Sequence, residues 1–556
     1  MFSYPPTQEH PITTAKAWLL ALLCAVWLGT GLVGHDPWQS DDAYSFGLVY
    51  HILQSGDWLV PTLADVPYMD RPPLFYMTAA FFAKLCSPLL ELHDGARLAS
   101  GFYTALTLLL IGLSGRELFG RSRGWTAAII LMGCLGMLVR SHELITDLAL
   151  LTGCAMMLYG YTLSLRRTLL AGMLIGNGIG IGFMSKGFIA PTLFVLISAA
   201  LLLFRTWRTR SFLFSLAIAL LFALPWLTVW PFLLYKRSPE LFMEWFWTLN
   251  ISHWFDYIQG GDYAEALYYV KILPWFAWPA LPLAAWAVWE ARRRVLHEAE
   301  FQLLLVSFFV MLLTLSVVPN IKEVFALPIL LPLALLANAA LPTLRRGAAN
   351  ALDWFGIMTF GFVAILMWWG WAGLLRNNHA KITHWLKDYQ PGFEPMFNAT
   401  TFGVALAFTV LWVLLVWRVG RSMRRAVLNW AGGVTLLWVL AMTLWLPWLD
   451  NGKSYRGMVV SLKKAMPKDH GCIASLDVGD TQRAMLQYLG NITTQTKAQL
   501  ACDLLLVHGE RAASLVEKES TWVKLWEGNR KGVKSKPFRL YQRIEPIAQR
   551  PVITQP

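Results

Sequence analysis

The sequence predicts a polytopic α-helical membrane protein with a small α/β domain at its C-terminal end. Three observations carry that expectation. Hydrophobic residues fill 56% of the 556 positions and charged residues only 15%, against about 25% charged in an ordinary soluble domain. The apolar residues run in long stretches, with Arg clustered in the short gaps between them. The polar remainder collects after position 450. This composition excludes a disordered chain, a collagen, a coiled coil and a plain soluble enzyme. A net charge of +13 is compatible in principle with nucleic-acid binding. Basic clusters between apolar runs, however, mark the cytoplasmic ends of membrane helices, so no nucleic-acid partner is expected.

A bilayer core needs about 20 mostly apolar residues per helix. Stretches of that kind lie near 17–34, 74–90, 99–115, 124–139, 148–165, 168–184, 187–204, 211–231, 272–289, 301–318, 324–341, 353–374, 400–417 and 427–447. The segment 74–90 is short, follows Pro72-Pro73, contains Lys84 and runs into Pro88, a pattern typical of interfacial or re-entrant segments. Setting it aside leaves about thirteen spans. With the N-terminus in the cytoplasm, thirteen crossings put the Arg clusters at 116–123, 166–167, 205–210, 292–294, 345–346 and 418–425 on the cytoplasmic side. A full crossing by 74–90 would turn all of them outward, against the positive-inside rule. No small-residue cleavage site follows 19–32, which reads as a retained span.

The outer side then receives the loops 35–98, 232–271 and 375–399 and the whole tail. Two domains follow: a membrane-embedded unit over 1–449 and a periplasmic α/β unit over 450–556. In the tail, 472–476, 504–507 and 538–541 read as strands and 481–489 as a helix. Cys472 and Cys502 either pair there, which the periplasm permits, or stand as two free thiols beside strands.

The first outer loop holds the richest chemistry. Trp38-Gln39-Ser40-Asp41-Asp42 follows the first span, and Tyr44, Phe46, Leu48 and Tyr50 continue it as an amphipathic helix. Asp147 opens a later span after Arg140-Ser141-His142-Glu143. All three aspartates face the same side. They can line one cavity and accept a proton from an attacking hydroxyl or amine, or they can be helix N-caps. Arg71, Arg97, Arg140, Lys186 and Lys322 share that side. Cations at span ends are often snorkelling side chains. Here they run against the charge rule, which favours a role in holding an anionic head group. No Walker A pattern or Gly-rich turn after a strand suggests a nucleotide, and the eleven His are scattered.

The acidic pair after the first span, Ser55-Gly56-Asp57-Trp58, Tyr68 to Arg71-Pro72-Pro73-Leu74, Asp147, Ser185-Lys186-Gly187 and Lys322 to Leu327-Pro328 occur in a fixed order. Together they resemble the GT-C membrane glycosyltransferases, and more closely the bacterial aminoarabinose-transferase-like branch of the protein O-mannosyltransferase superfamily. The resemblance covers residues 17 to about 340. It implies transfer of a sugar from a polyprenyl-phosphate donor to lipid A, another glycan or a protein. Asp41 takes the place of the principal catalytic acid, Asp42 that of its neighbour and Asp147 the second acidic position. Arg71 stands where the family commonly has Lys and would bind donor phosphate with Lys186, Lys322 and Arg140. Tyr44, Tyr68, Glu323, His253 and Tyr269 would line the donor or acceptor pocket. The pair departs from the pattern in having Asp42 where Glu is usual, and Tyr44 replaces an Arg found soon after the pair in aminoarabinose transferases.

The resemblance requires no particular cofactor, although some of the wider class use a divalent cation, which Asp41 and Asp147 could hold. The expected protein is a monomer in the bacterial inner membrane, in contact with membrane lipids. The alternative is a transporter or flippase for a lipid or a lipid-linked sugar, without transferase activity. That reading expects pseudo-symmetric repeats and ionisable groups near the midplane, whereas here they crowd the span ends on one side.

Overall fold

Every one of the fourteen apolar stretches contains helix. The structure, a computed structural model, describes residues 14–38, 41–252, 267–317, 321–376, 384, 386, 388–390, 393–418, 424–496, 502–518, 521–531 and 536–544. Among these residues, eight helices are long and apolar enough to cross a membrane. Leu92–Phe119, Arg210–Arg237, Arg346–Leu375 and Ala399–Arg418 are the longest of them. The last two leave Trp354, Phe362, Ile365 and Trp417 exposed, a surface that needs lipid as its solvent. The chain is a multi-pass membrane protein.

Helix count and span count do not correspond one to one. The stretch 124–139 is two helices, Gly124–Gly133 and Leu135–Arg140, separated where Cys134 adopts extended backbone. The stretch 272–289 is likewise two, Tyr268–Phe276 and Ala280–Ala291, which meet at 98°. Pro279 precedes the second helix and has no N–H to continue the first. The two breaks pack together, with Leu135 N–H donating to the Trp278 carbonyl at 3.3 Å. The segment 74–90 forms a helix only over Leu74–Cys86. Its 13 residues reach about 20 Å at 1.5 Å per residue, short of the roughly 30 Å of a bilayer core. It lies against Leu92–Phe119, burying Phe75, Tyr76, Ala79, Ala80 and Ala83.

The acidic pair opens the helix Asp41–Ser55, as its amphipathic pattern suggested. In the tail, Ile473–Leu476, Leu504–His508, Phe538–Arg543 and Trp522–Gly528 form a four-stranded sheet in that spatial order. The first pair is parallel and the others antiparallel. The strand Trp522–Gly528 was not anticipated. Cys472 and Cys502 are joined by a disulfide. The helix Asp480–Gly490 docks on Asp41–Ser55. Gly47 permits the close approach, since a Cβ there would sit 2.8 Å from Ala484 Cβ and 2.5 Å from Leu63 Cδ1. Phe46 and Tyr50 then meet Tyr488 with ring centroids 4.6 and 5.1 Å away. The membrane helices and the tail therefore share one apolar core.

Candidate active site

The site begins with a helical hairpin. Asp147–Leu163 and Thr168–Lys186 run antiparallel, so the first residue of one faces the last residue of the other. Gly153 and Gly178 let the backbones approach closely, each leaving less than 3 Å for a Cβ. An acid in the first turn and a base in the last turn suit the two helix dipoles. Asp147 accordingly bonds Lys186 through Oδ1, and its Oδ2 lies 3.5 Å from Arg71 Nη1. Thr146 is the N-cap residue but makes no side-chain cap bond; the Asp147 carboxylate takes its own backbone N–H and reaches across to the neighbouring helix.

Arg71 is delivered by a tight hairpin. Thr62–Leu63 pairs with Val66–Pro67 around Ala64 and Asp65, both at positive φ. Arg71 Nη1 donates to Thr146 Oγ1 at 2.6 Å and its Nε lies 3.3 Å from Asp70. Lys186 Nζ sits 3.5 Å over the Phe325 ring. Gly187 ends the Lys186 helix at φ +64, a backbone state glycine adopts without strain. Tyr44 and Tyr68 form an edge-to-face pair at 5.2 Å, and Tyr44 lies within electrostatic range of Arg71 and Tyr76. Burial lifts the Tyr44 hydroxyl well above its ordinary pKa, so it stays protonated.

Asp42 sits deeper. Its Oδ2 accepts from Trp38 N at 3.0 Å and Arg97 Nε at 3.3 Å, and its Oδ1 from Leu144 N at 2.9 Å. Burial pushes its pKa up, but Arg97, His35 and these backbone donors more than offset that and hold the carboxyl below its ordinary value. Arg97 is 1% exposed. Its N–H groups go to Asp42, Asp94 Oδ1, and the carbonyls of Leu32, His35 and Asp36. Arg97 thus braces the loop and is not left open for phosphate.

Asp41, one residue earlier, is half-buried, and no described residue bonds its carboxylate. Arg140 lies within electrostatic range of both Asp41 and Glu323, and Arg140 itself pairs with Glu143 at 2.7 Å. Burial raises the Glu143 pKa, partly offset by Arg140. His142 is packed between Trp27 and Trp438, with ring nitrogens 2.7 Å from the Leu138 and Trp27 carbonyls. The segment 140–147 therefore links two poles: Asp41 with Arg140, Glu143 and Glu323, and Asp147 with Arg71 and Lys186.

The remaining expected residues are peripheral. Lys322 is exposed, and its carbonyl accepts from the buried Tyr269 hydroxyl at 3.1 Å. Tyr68 is half-buried at the edge of the Arg71 loop. His253 lies outside the described residues. Among the described residues no three His, Cys, Asp or Glu side chains group as metal ligands. With one Asp147 oxygen on Lys186 and the other facing Arg71, the residues do not fit a cation shared by Asp41 and Asp147. The sequence reading missed Asp36, Asp94, Thr146, Asp450 and Arg456. Asp36 and Thr146 had a local signal, one in the loop before the acidic pair and the other immediately before Asp147.

The polytopic helical array with its small C-terminal sheet has the GT-C fold. Within it the chain resembles the aminoarabinose-transferase-like branch. A family model described as dolichyl-phosphate-mannose-protein mannosyltransferase matches residues 70–230, which include Arg71, Arg140, Asp147 and Lys186. The undecaprenyl phosphate-alpha-4-amino-4-deoxy-L-arabinose arabinosyl transferase of Pseudomonas aeruginosa is 28% identical over 374 residues, 63% of this chain and 64% of that protein. The Photorhabdus laumondii protein of the same name is 25% identical over 388 residues, 67% of this chain and 68% of its own. The match thus spans just under two thirds of the Pseudomonas relative's length. The crystal structure of ArnT from Cupriavidus metallidurans bound to undecaprenyl phosphate superposes with a TM-score of 0.69 at 15% identity, covering 95% of this chain and 98% of that one.

Proposed function

We propose that the chain is an integral-membrane glycosyltransferase that moves a sugar from a polyprenyl-phosphate donor to an acceptor, with inversion at the anomeric carbon. One observation carries this reading: a carboxylate without a partner among the described residues, Asp41, stands one short segment away from a buried cation pair, Arg71 and Lys186, oriented by Asp147. In the proposed reaction an acceptor hydroxyl attacks the anomeric carbon and passes its proton to Asp41. The bond from that carbon to the phosphate oxygen breaks, and the electron pair leaves with the lipid phosphate. No described residue takes Arg71 Nη2, and Lys186 keeps N–H groups beyond the one given to Asp147. These donors stabilise the departing phosphate. Asp42 holds the loop that carries Asp41, so its role is positioning. Arg140, expected at the donor phosphate, pairs with Glu143 near Asp41 and Glu323 and so is assigned with Glu323 to the acceptor side. Lys322, also expected at the donor phosphate, is exposed and is assigned to the rim; Tyr44, Tyr68 and Tyr269 shape the walls.

The names of the relatives support a polyprenyl-phosphate donor. Residues 1–449 form the catalytic membrane unit and 450–556 the periplasmic unit, with the N-terminus cytoplasmic, in the bacterial inner membrane. The Arg-rich ends support that orientation. The acceptor is lipid A, another glycan or a protein, and the protein acts as a monomer. Tyr44, standing where aminoarabinose transferases carry Arg, lies beside Arg71 and so does not replace that charge. Purified protein in liposomes, supplied with polyprenyl-phosphate sugars and each acceptor class, tests the reading. Product from at least one pair is expected. No product from any, with lipid flux into the vesicles instead, would favour transport.

A further inference from the structure

The loop that carries the acidic pair is held from an unexpected direction, by the chain segment that follows the last span. Asp36 engages every polar group it has. Its N–H donates to Asp450 Oδ1 at 3.1 Å. Its carbonyl accepts from Arg97 Nη2 at 2.9 Å. Its carboxylate accepts from Ser454 Oγ at 2.6 Å and from Arg456 Nε at 2.9 and 3.0 Å, and Arg456 Nη2 bonds it as well. The same Asp450 oxygen takes Trp38 Nε1–H at 2.9 Å, and Lys453 Nζ sits 4.3 Å over the Trp38 ring. Trp38 in turn bonds both ends of the next turn: its N–H goes to Asp42 and its carbonyl accepts from Ala43 N–H at 2.9 Å.

The grip passes to Asp41. Residues 36 and 38 are anchored to 450–456, and Trp38 fixes the first turn of the helix in which Asp41 is the first residue. Asp41 lies between these anchors with its own carboxylate left without a described partner. A scaffold whose purpose was only to attach the tail would have no need to bond the backbone N–H of 36 and the indole of 38 through one carboxylate. Surface ion pairs contribute little by themselves, but here the Asp36 carboxylate is buried while only Arg456 is half-exposed, so the contact fixes a geometry.

We propose that Asp450, Ser454 and Arg456 are positioning residues, a clasp contributed by the post-membrane segment that sets where the Asp41 carboxylate points. The inference rests on the assignment of Asp41 as the base, and it predicts a loss of turnover with donor binding kept.

Two measurements on the full-length protein in detergent test it. The first reads position without chemistry: an Asp41→Cys variant is labelled with a water-soluble maleimide, against wild type as background for the four native free thiols. Adding Arg456→Ala or Asp450→Ala is expected to change the labelling rate at residue 41 by at least tenfold, with Arg456→Lys in between. The second reads transfer at a temperature well below both melting temperatures: Arg456→Ala in the otherwise native chain should lower kcat at least tenfold while KM for the donor stays within twofold, with some loss of melting temperature because the buried Asp36 carboxylate loses its charged partner. An unchanged labelling rate overturns the clasp. So does a changed labelling rate with unchanged kcat, or a fall in kcat and donor affinity together. If labelling changes but wild type transfers no sugar from any donor, the clasp stands and the transferase reading falls.

Discussion

Asp42 Oδ1 accepts the backbone N–H of Leu144 at 2.9 Å. Three residues further along, Asp147 meets Arg71 and Lys186. This one bond ties the acidic pole to the basic pole, although the partners are 102 residues apart. It makes Asp42 a brace, whereas no described residue bonds the Asp41 carboxylate, a difference that neighbouring substitutions can test.

Asp42→Ala leaves Arg97, 1% exposed, without one of its two carboxylates and Leu144 N–H without an acceptor. Breaking a buried ion pair from one side costs about 3–5 kcal/mol. The expected outcome is a lower melting temperature and poor yield of folded protein. Asp41→Ala, at a half-buried position with no described partner, should leave the melting temperature within about 2 °C, consistent with the small stability effect of substitutions away from bonded sites. Differential scanning fluorimetry on both variants decides.

Arg71→Lys should not behave as a conservative change. The Arg71 fork reaches Thr146, Asp147 and Asp70 at once, a geometry a single ammonium cannot reproduce. Donor affinity should fall roughly 10-fold or more, about 1.4 kcal/mol. Lys186→Ala should fall further, because it also strips Asp147 of its nearer cation. Isothermal titration with polyprenyl phosphate checks both; equal affinity in all three proteins would remove these residues from the donor site.

Acid should weaken the loop in a defined window. Burial opposes ionisation of Asp42 and Asp36, but Arg97 and His35 for the first, and Arg456 and Ser454 for the second, outweigh it and set both carboxyls below their ordinary value. The unfolded chain therefore takes up protons first as pH falls. Stability from these groups is full above about pH 4 and is lost as pH drops through the folded values. Burial shifts Asp450 and Glu143 the other way, so the informative quantity is the gap between wild type and Asp42→Asn. That gap in melting temperature should shrink below about pH 4 and stay constant from 5 to 7.

The tail has its own weak point. The disulfide closes a separation of 30 residues between the two parallel strands. Bridges of this kind typically contribute about 2–4 kcal/mol. Cys502→Ser should speed proteolysis within 450–556 while the membrane helices stay resistant. Equal cleavage rates in the two proteins would show that the sheet holds without the bridge.

Much of the fold was legible because its signal is local. Long apolar runs can only be helices in lipid, and the Asp41–Ser55 pattern has a helical period. What escaped was not local. The break at Cys134 sits within unbroken apolar sequence, and the Leu135 N–H it releases goes to the distant Trp278 carbonyl. The strand Trp522–Gly528 is mostly exposed and shows no clean alternation, so it offered no period to read. In the site, Asp41, Arg71, Asp147 and Lys186 were legible as charges at span ends. The pairing of Arg97 with Asp42 was not, since an Arg on the outer side reads as an anion binder until its partners are known. Asp450 and Arg456 gave no sign of touching residues more than 400 positions earlier.

The central claim is that Asp41 takes the acceptor proton. The most direct measurement is single-turnover transfer from a polyprenyl-phosphate sugar by purified wild type and Asp41→Asn, with donor affinity measured in parallel. General-base catalysis is worth about 10²–10⁴-fold, so the account predicts a loss of at least 100-fold in rate with donor affinity unchanged. Transfer by Asp41→Asn at the wild-type rate would contradict it.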